Sequence, residues 1–482
     1  MSYIFDKRTY DPVNFFLSKT GSKLNPEDRE RLQRIRIAWN FYEGYHWEDV
    51  GEVEGPQVTV NYCKTFVNKF VSFEFGKGFV IKMMPEVENI DGENDPLDFL
   101  NKVWGYNEKD TKLLELGQSK SVTGDGWLHA YFTPKYIDGK RNTEFSDPFD
   151  EYEKGKITIN ILPSSICFPE YDELNKDKML RFHIMFLMPI EKQNIFGRTK
   201  ESFILYRQTW DTQSITEYHD EKQISNLPNK YEIIPFVHIK NHPLHGKNYG
   251  LSDIDDMIPV NTELNLKKSN MSDIIDYHSA PITLIFGARA HNLERGPNKV
   301  WGGLPKDAKV ENLRLEGELD AAQKYISDTK QELLEIANIP VGALGGEMNI
   351  SNTSAIALQI ALMPLLEKIE DKHKLDREGL SKFNKILLLI GVKEKLITIP
   401  EGIKPKDFYH NDIVFESMLP KDVLMELQAL DLERKMMLIT RTDALKRLGR
   451  DNIETRLKEL DVEYDKVPEF YGIDVNEDIN LN

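Results

Sequence analysis

Residues 251–286 read LSDIDDMIPVNTELNLKKSNMSDIIDYHSAPITLIF. The first part predicts a polar helix from Leu251 to about Tyr277, ended at Ala280-Pro281 because proline disfavours a helical conformation for the residue before it. Ile282-Thr-Leu-Ile-Phe286 then reads as a short β run. An irregular excursion follows, with Gly296-Pro297 and Gly302-Gly-Leu-Pro305. A second helix is predicted over Asp320–Ala337, stopped by Pro340. After it come the glycine-rich loop Gly342-Ala-Leu-Gly-Gly346 and an apolar helix starting near Ser354. Two helices frame a small β excursion, and a loop joins the second to a third helix. That plan suits a subunit lining a channel better than an enzyme.

Working outward, the 482 residues allow two to four domains with substantial cores. Hydrophobic residues make up 40% and charged residues 29%, a globular balance. No window approaches 18 uninterrupted apolar residues, so no transmembrane helix is expected. Met1-Ser-Tyr-Ile-Phe-Asp-Lys-Arg8 has no apolar signal region, so secretion through one is not expected. Cys63 and Cys167 are far apart and fit no metal or redox spacing, which predicts two buried thiols in a reducing compartment. The net charge of −17 argues against a conventional nucleic-acid binder with a basic face.

Upstream, a helix is predicted over 26–46, with Pro26, Asp28 and Glu30 at its start and Gly44 as its stop. Others are predicted over Tyr62–Phe75 and 95–122, with Phe79–Met83 as a strand between them. From Gly124-Asp-Gly126 to about 240 the pattern turns to antiparallel β: Trp127–Phe132, Ile157–Ile161, Phe182–Leu187, Ser202–Gln208, Ile215–His219 and Phe236–Ile239. Downstream, the helix from Ser354 carries Pro364, which predicts a kink, and resumes to Leu389 before Gly391. Its apolar first half, 354–370, is expected in the core. Residues 398–415 read as one or two short strands, and helices follow over Pro420–Leu438, Arg441–Leu448 and Asn452–Leu460. The acidic C-terminus is expected to be loose.

Enzyme signatures are absent: there is no phosphate-binding loop ending in Gly-Lys-Ser/Thr, no His-Glu-x-x-His and no nucleophile elbow. His238, His242 and His245 cluster in sequence, but no cysteine or carboxylate has ligand spacing with them, so an ordinary loop is the better reading and no metal is expected. Asp253, Asp255 and Asp256 lack the glycine and distal glutamate of a calcium loop and read as helix-capping residues. Charge is more informative. Residues 251–280 hold six carboxylates against two lysines, a balance of −4, whereas 281–315 hold six basic residues against three acidic, a balance of +3. A basic tip on an acidic stalk is the result.

Several motifs occur in a fixed order: Trp39-Asn-Phe-Tyr-Glu-Gly44, Asn61-Tyr-Cys-Lys-Thr-Phe-Val-Asn68 leading to Gly76-x-Gly78, and Gly124-Asp-Gly-Trp-Leu-His-Ala-Tyr131. Ile234-Pro-Phe-Val-His-Ile-Lys-Asn241 follows, running into Gly250-Leu-Ser-Asp-Ile254, with Asn261, Asn265 and Asn270 in the helix after it and Asn352-Thr-Ser-Ala-Ile-Ala-Leu358 beyond. In this order the chain resembles the portal proteins of tailed bacteriophages over nearly its whole length. Ala355 stands where that family often has glycine.

The resemblance implies an α+β portal-type subunit: a wing over 1–250, stem helices over 251–280 and 318–340, and a small β clip over 281–317. It further implies a tunnel loop over 341–353, a kinked helix returning to the wing over 354–398, and a helical crown over 399–482. It implies a homo-oligomeric ring, dodecameric in the virion, at one capsid vertex, made in the host bacterial cytoplasm. The ring would pass double-stranded DNA transiently and without sequence preference during packaging and ejection. Implied partners are a terminase-type packaging ATPase, a head-completion or tail adaptor, and the capsid and scaffolding proteins, with no membrane, no cofactor and no catalysis by this chain. The tunnel-loop residues would be Gly345, Gly346, Glu347, Met348, Asn349, Ile350, Ser351 and Asn352. Stem candidates for the channel wall are Glu263, Lys267, Lys268, Lys324 and Lys330; clip candidates for partner binding are Arg289, Arg295, Lys299 and Trp301. Two competing readings are a cytoplasmic enzyme of unrecognised fold using the acidic and histidine clusters, and a phage assembly or scaffold protein without a channel.

Overall fold

Asn25 and Gly44 bracket helix α1 (Pro26–Glu43): the Asn25 side chain accepts from the Asp28 amide at 2.7 Å, and Gly44 turns left-handed at φ 99° to close the C-terminus. The computed structural model describes residues 24–48, 55–84, 94–137, 140–142, 154–176, 178–193, 199–279, 283–286, 309–312, 319–344, 355–416, 423–448 and 456–460, with Phe16, Thr20, Gly51, Val87 and Val462. α2 (Tyr62–Phe75) is capped by Asn61 and buries Phe66, Val67 and Phe70 completely. The single helix expected over 95–122 is two, α3 (Pro96–Tyr106) and α4 (Lys109–Thr123). Asn107 makes the break: its amide donates to the carbonyls of Val103 and Ile157, and its oxygen accepts from the Ile159 amide. Glu108 takes a positive φ of 56° to restart the chain.

The β region is antiparallel throughout. One sheet orders Lys222–Pro228, Ser214–His219, Thr199–Trp210, Met179–Gln193 and Cys167–Tyr171; a second orders Phe236–Lys240, Asp125–Pro134 and Gly155–Leu162. In the second, Phe236 pairs with His129 and Lys240 with Asp125. The sequence pattern missed the two edge strands of the first sheet, Cys167–Tyr171 and Lys222–Pro228, which are too mixed in composition to alternate. Phe79–Met83 pairs with Asn411–Phe415, placing residues more than three hundred positions apart in one ribbon.

α5 (Met257–Ser279) starts six residues later than its sequence pattern, because Gly250–Leu251 instead pairs with His242–Pro243. A separate antiparallel ribbon joins Thr283–Phe286 to Lys309–Asn312. α6 (Leu319–Ile336) packs beside α5. α7 (Ala355–Lys393) runs through Pro364 and past Gly391 as one helix. α8 (Pro405–Phe408) takes part of the span expected as strand. Trp104, Phe383, Leu387 and Phe408 centre one core; Phe66, Phe70, Leu333, Ala337, Leu365 and Ile369 centre another, where α6 and α7 meet α2. In the first half of α7 the expectation of burial holds for Leu362, Leu365 and Ile369, whereas Ile360 and Met363 are more than half exposed.

Residues 1–353 with 357–418 form one compact unit, and 354–356 with 419–482 another. In the second, α9 (Val423–Lys435) precedes α10 (Arg441–Arg447), whose start is fixed by a reciprocal cap: Thr440 Oγ1 accepts from the Asp443 amide while Asp443 accepts from the Thr440 amide.

Candidate functional site

The motifs singled out in the sequence converge on the start of α5. Asn261, Asn265 and Ser269 lie at i, i+4 and i+8, one face of the helix. Their side-chain oxygens accept the backbone amides of Tyr62 (3.1 Å), Val60 (3.0 Å) and Val58 (2.9 Å). Four helical residues rise about 6 Å, close to the roughly 6.6 Å of two extended ones, so helix side chains stand in for a missing neighbouring strand. Asn261 also returns a bond to the Val60 carbonyl, and Asn265 donates to His46 Nδ1. Asn61, next along, caps α2 and donates to the carbonyls of Phe41 and Tyr42, tying the end of α1 to the start of α2. Asn270, part of the asparagine pattern in the sequence, is exposed instead. Replacing Asn265 with leucine strands the Val60 amide and the His46 nitrogen. We expect it to lower stability by about 1–3 kcal/mol in a denaturant titration, with Asn270→Leu as an unaffected control. Equal behaviour of the two variants would remove the ladder from the account.

Gly124 and Gly250, from two separate motifs, touch. A Cβ on Gly250 would fall 2.3 Å from the Gly124 carbonyl oxygen, and Gly124 holds φ +88°. The contact sets Asp125 to accept from the Gly250 amide at 2.8 Å and to bind His238 Nε2 at 2.7 Å. His238 Nδ1 meets the Tyr171 hydroxyl, and its ring stacks on Trp127 at 4.0 Å. His242 is held separately by Asp253 at 2.9 Å, and His245 is exposed. Among the described residues no trio of His, Cys, Asp or Glu is placed to hold a metal ion.

Asp253 is not the helix cap that the sequence pattern predicts. Its carboxylate is fully buried and accepts from Lys372 (2.6 Å), Lys368 (3.0 Å), Ser121 Oγ (2.6 Å) and His242. Lys372 continues to Glu74 at 3.4 Å; Glu74 takes Lys120 at 2.6 Å; Lys120 reaches Asp376. The Lys368 amine also sits 4.1 Å from the centre of the Phe70 ring. Burial works against charge on Asp253, but Lys372, Lys368 and His242 outweigh it and hold its carboxyl well below the usual range. Burial likewise opposes charge on Glu74, yet Lys120 and Lys372 pull it down to about 2. A sequence signal existed. Lys372 and Asp376 fall in phase with Leu365, Ile369, Leu380 and Phe383, and Lys120 with Leu113 and Leu116, so each charge interrupts an apolar stripe. The network ties α2, α4 and α7 to the segment that launches α5.

Beyond this base the α5–α6 pair loses its cover. Leu264 and Asn265 in α5, Leu333 in α6 and Ala337 just past its end are buried, whereas Ile275 and Tyr325 are about half exposed, as is Phe286 in the ribbon beyond. The candidates for a channel wall lie on this pair. Glu263 accepts from Tyr325 Oη at 3.3 Å and pairs with Lys267 at 3.3 Å. Lys330 leans toward the Tyr62 ring, Lys324 is exposed and Lys268 is half-buried. Arg289, Arg295, Lys299, Trp301 and the loop candidates Gly345 to Asn352 lie outside the described residues.

Residues 22–467 match the family described as phage portal protein, SPP1 Gp6-like. The chain belongs to the phage portal protein family. No curated protein matches it. Portal membership covers every motif described above and places the chain among structural phage proteins, a family of ring oligomers with capsid and packaging partners at the virion vertex. Among the described residues no helix is long and apolar enough to cross a membrane.

Proposed function

We propose that the chain assembles into a ring whose central channel conducts double-stranded DNA during packaging and ejection. The observation that carries this reading is the loss of burial along α5 and α6. Among the described residues, a two-helix stalk with a two-stranded ribbon has too little core to stand by itself, so neighbouring copies would have to cover it. The stem would then be 251–280 and 318–340 and the clip 281–317. The tunnel loop would be 341–353, the kinked helix 354–398, the wing 1–250 and the crown 399–482. The +3 balance of 281–315 favours that tip as the docking point for the packaging ATPase and later the adaptor, while Glu263, Lys267, Lys268, Lys324 and Lys330 supply the stem wall. The −17 charge on each copy disfavours a lasting grip on phosphates, because little counterion release is available to reward binding. DNA would slide, driven by a partner that hydrolyses ATP.

Negative-stain images of the purified protein should show rings with a central hole. Duplex retention by those rings should be indifferent to sequence and fall with added salt. A monomer, or tight salt-resistant binding to one sequence, would remove the channel reading.

A further inference from the structure

We propose that the folded chain carries Asp376 as a neutral carboxyl that donates its proton to Glu74, and that loss of this proton is a switch that loosens α7 from α2 and α4. The inference stands on the buried network and is independent of the channel reading.

Lys120, Glu74, Lys372 and Asp376 are wholly buried, with no side-chain exposure at Lys120, Glu74, Lys372 or Asp253. Facing Asp376 are Lys120 from α4 and Glu74 from α2. Lys372, Lys368 and His373 lie along its own helix, and Asp253 and His242 stand beyond Lys372. Three lysines against three carboxylates would balance with Asp376 ionised, so a simple charge count favours the anion. The distribution of contacts decides otherwise. Glu74 takes two lysines, and Asp253 takes two more contacts from lysines plus Ser121 and His242. Asp376 receives only a share of Lys120, and its Oδ2 is buried without a hydrogen-bond partner. Its carboxyl nevertheless lies within hydrogen-bonding reach of Glu74. Two carboxylates only accept and cannot bond; one proton turns the bare oxygen into a donor and completes the set. Burial, with Glu74 adding to it against the pull of Lys120, pushes Asp376 up to about 8. When the Asp376 O–H bond breaks, the proton passes to water or hydroxide. Two like charges then share the Lys120 amine, and α7 loses one bond to α2, keeping those of Lys372 and His373 to Glu74.

The unfolded chain releases the Asp376 proton near 3.8, the folded chain near 8. Between those values the folded state holds the extra proton, so rising pH lowers the folding constant tenfold per unit from this group, and the loss stops above about 8. Asp376→Asn keeps the shape and removes the titration. Denaturant titrations of both proteins from pH 5 to 9.5 should show the ratio of folding constants, variant over wild type, climbing tenfold per unit and levelling above 8. A ratio that stays flat from pH 5 to 8 overturns the proposal. If the asparagine variant does not fold, hydrogen exchange on the wild type decides. After correction for the intrinsic rise of exchange with pH, amides of 368–380 should lose protection from pH 5 to 8 and hold level above 8. Unchanged protection overturns the switch.

Discussion

Lys372→Met should cost roughly 3–5 kcal/mol of stability, seen as a large drop in the denaturant midpoint. Methionine matches much of the length and apolar bulk of the lysine stem, so little packing is lost. The damage is electrostatic: Asp253 and Glu74 remain buried with one cation fewer between them, at 2.6 and 3.4 Å from the missing amine. Water does not reach either carboxylate to replace it, since both are fully buried. The deficit should narrow in acid. Both carboxylates titrate below their unfolded values, so their contribution is present above about pH 4.5 and fades as pH falls toward 2. Lys374→Ala, which breaks the exposed pair with Asp371, should leave the midpoint unmoved. A Lys372→Met loss under about 1 kcal/mol would mean that the network is open to solvent.

Gly250→Ala should be strongly destabilising, at the upper end of the roughly 1–3 kcal/mol of overpacking or beyond it. The new Cβ would meet the Gly124 oxygen at 2.3 Å and the Asn241 amide nitrogen at 3.1 Å, and both are backbone atoms that cannot swing aside. Relief requires separating the Asp125–Pro134 strand from the turn that launches α5, which also breaks the Gly250 to Asp125 bond. Gly246→Ala is the control. Gly246 holds φ +78° with open space around it, so the methyl costs only about 1–2 kcal/mol of backbone strain. Thermal melts that place the two variants together would show that the turn yields freely.

Helix periods, caps and prolines are local, and they were legible before any fold was known. α2, the Phe79–Met83 strand and the Gly44 stop follow from residues within a few positions of one another. So do the helix–β–helix order of 251–340, the antiparallel character of the middle region and, through the spacing of its motifs, the portal family. Other features depend on partners distant in sequence, where a local pattern is blind. Asn107 breaks a helix because the strand at 155–162 needs its amide. Asp253 looks like a cap until Lys368 and Lys372, more than a hundred residues on, fold over it. Gly124 and Gly250 read as ordinary turn glycines until their backbones meet. The sequence alone determined the principal helices, the alternating strands and which face of each is apolar, because those follow from side-chain period and backbone sterics. Only the tertiary structure decided which charges on those faces are buried together, because the cost of burying a charge is set by the groups that surround it and not by its neighbours along the chain.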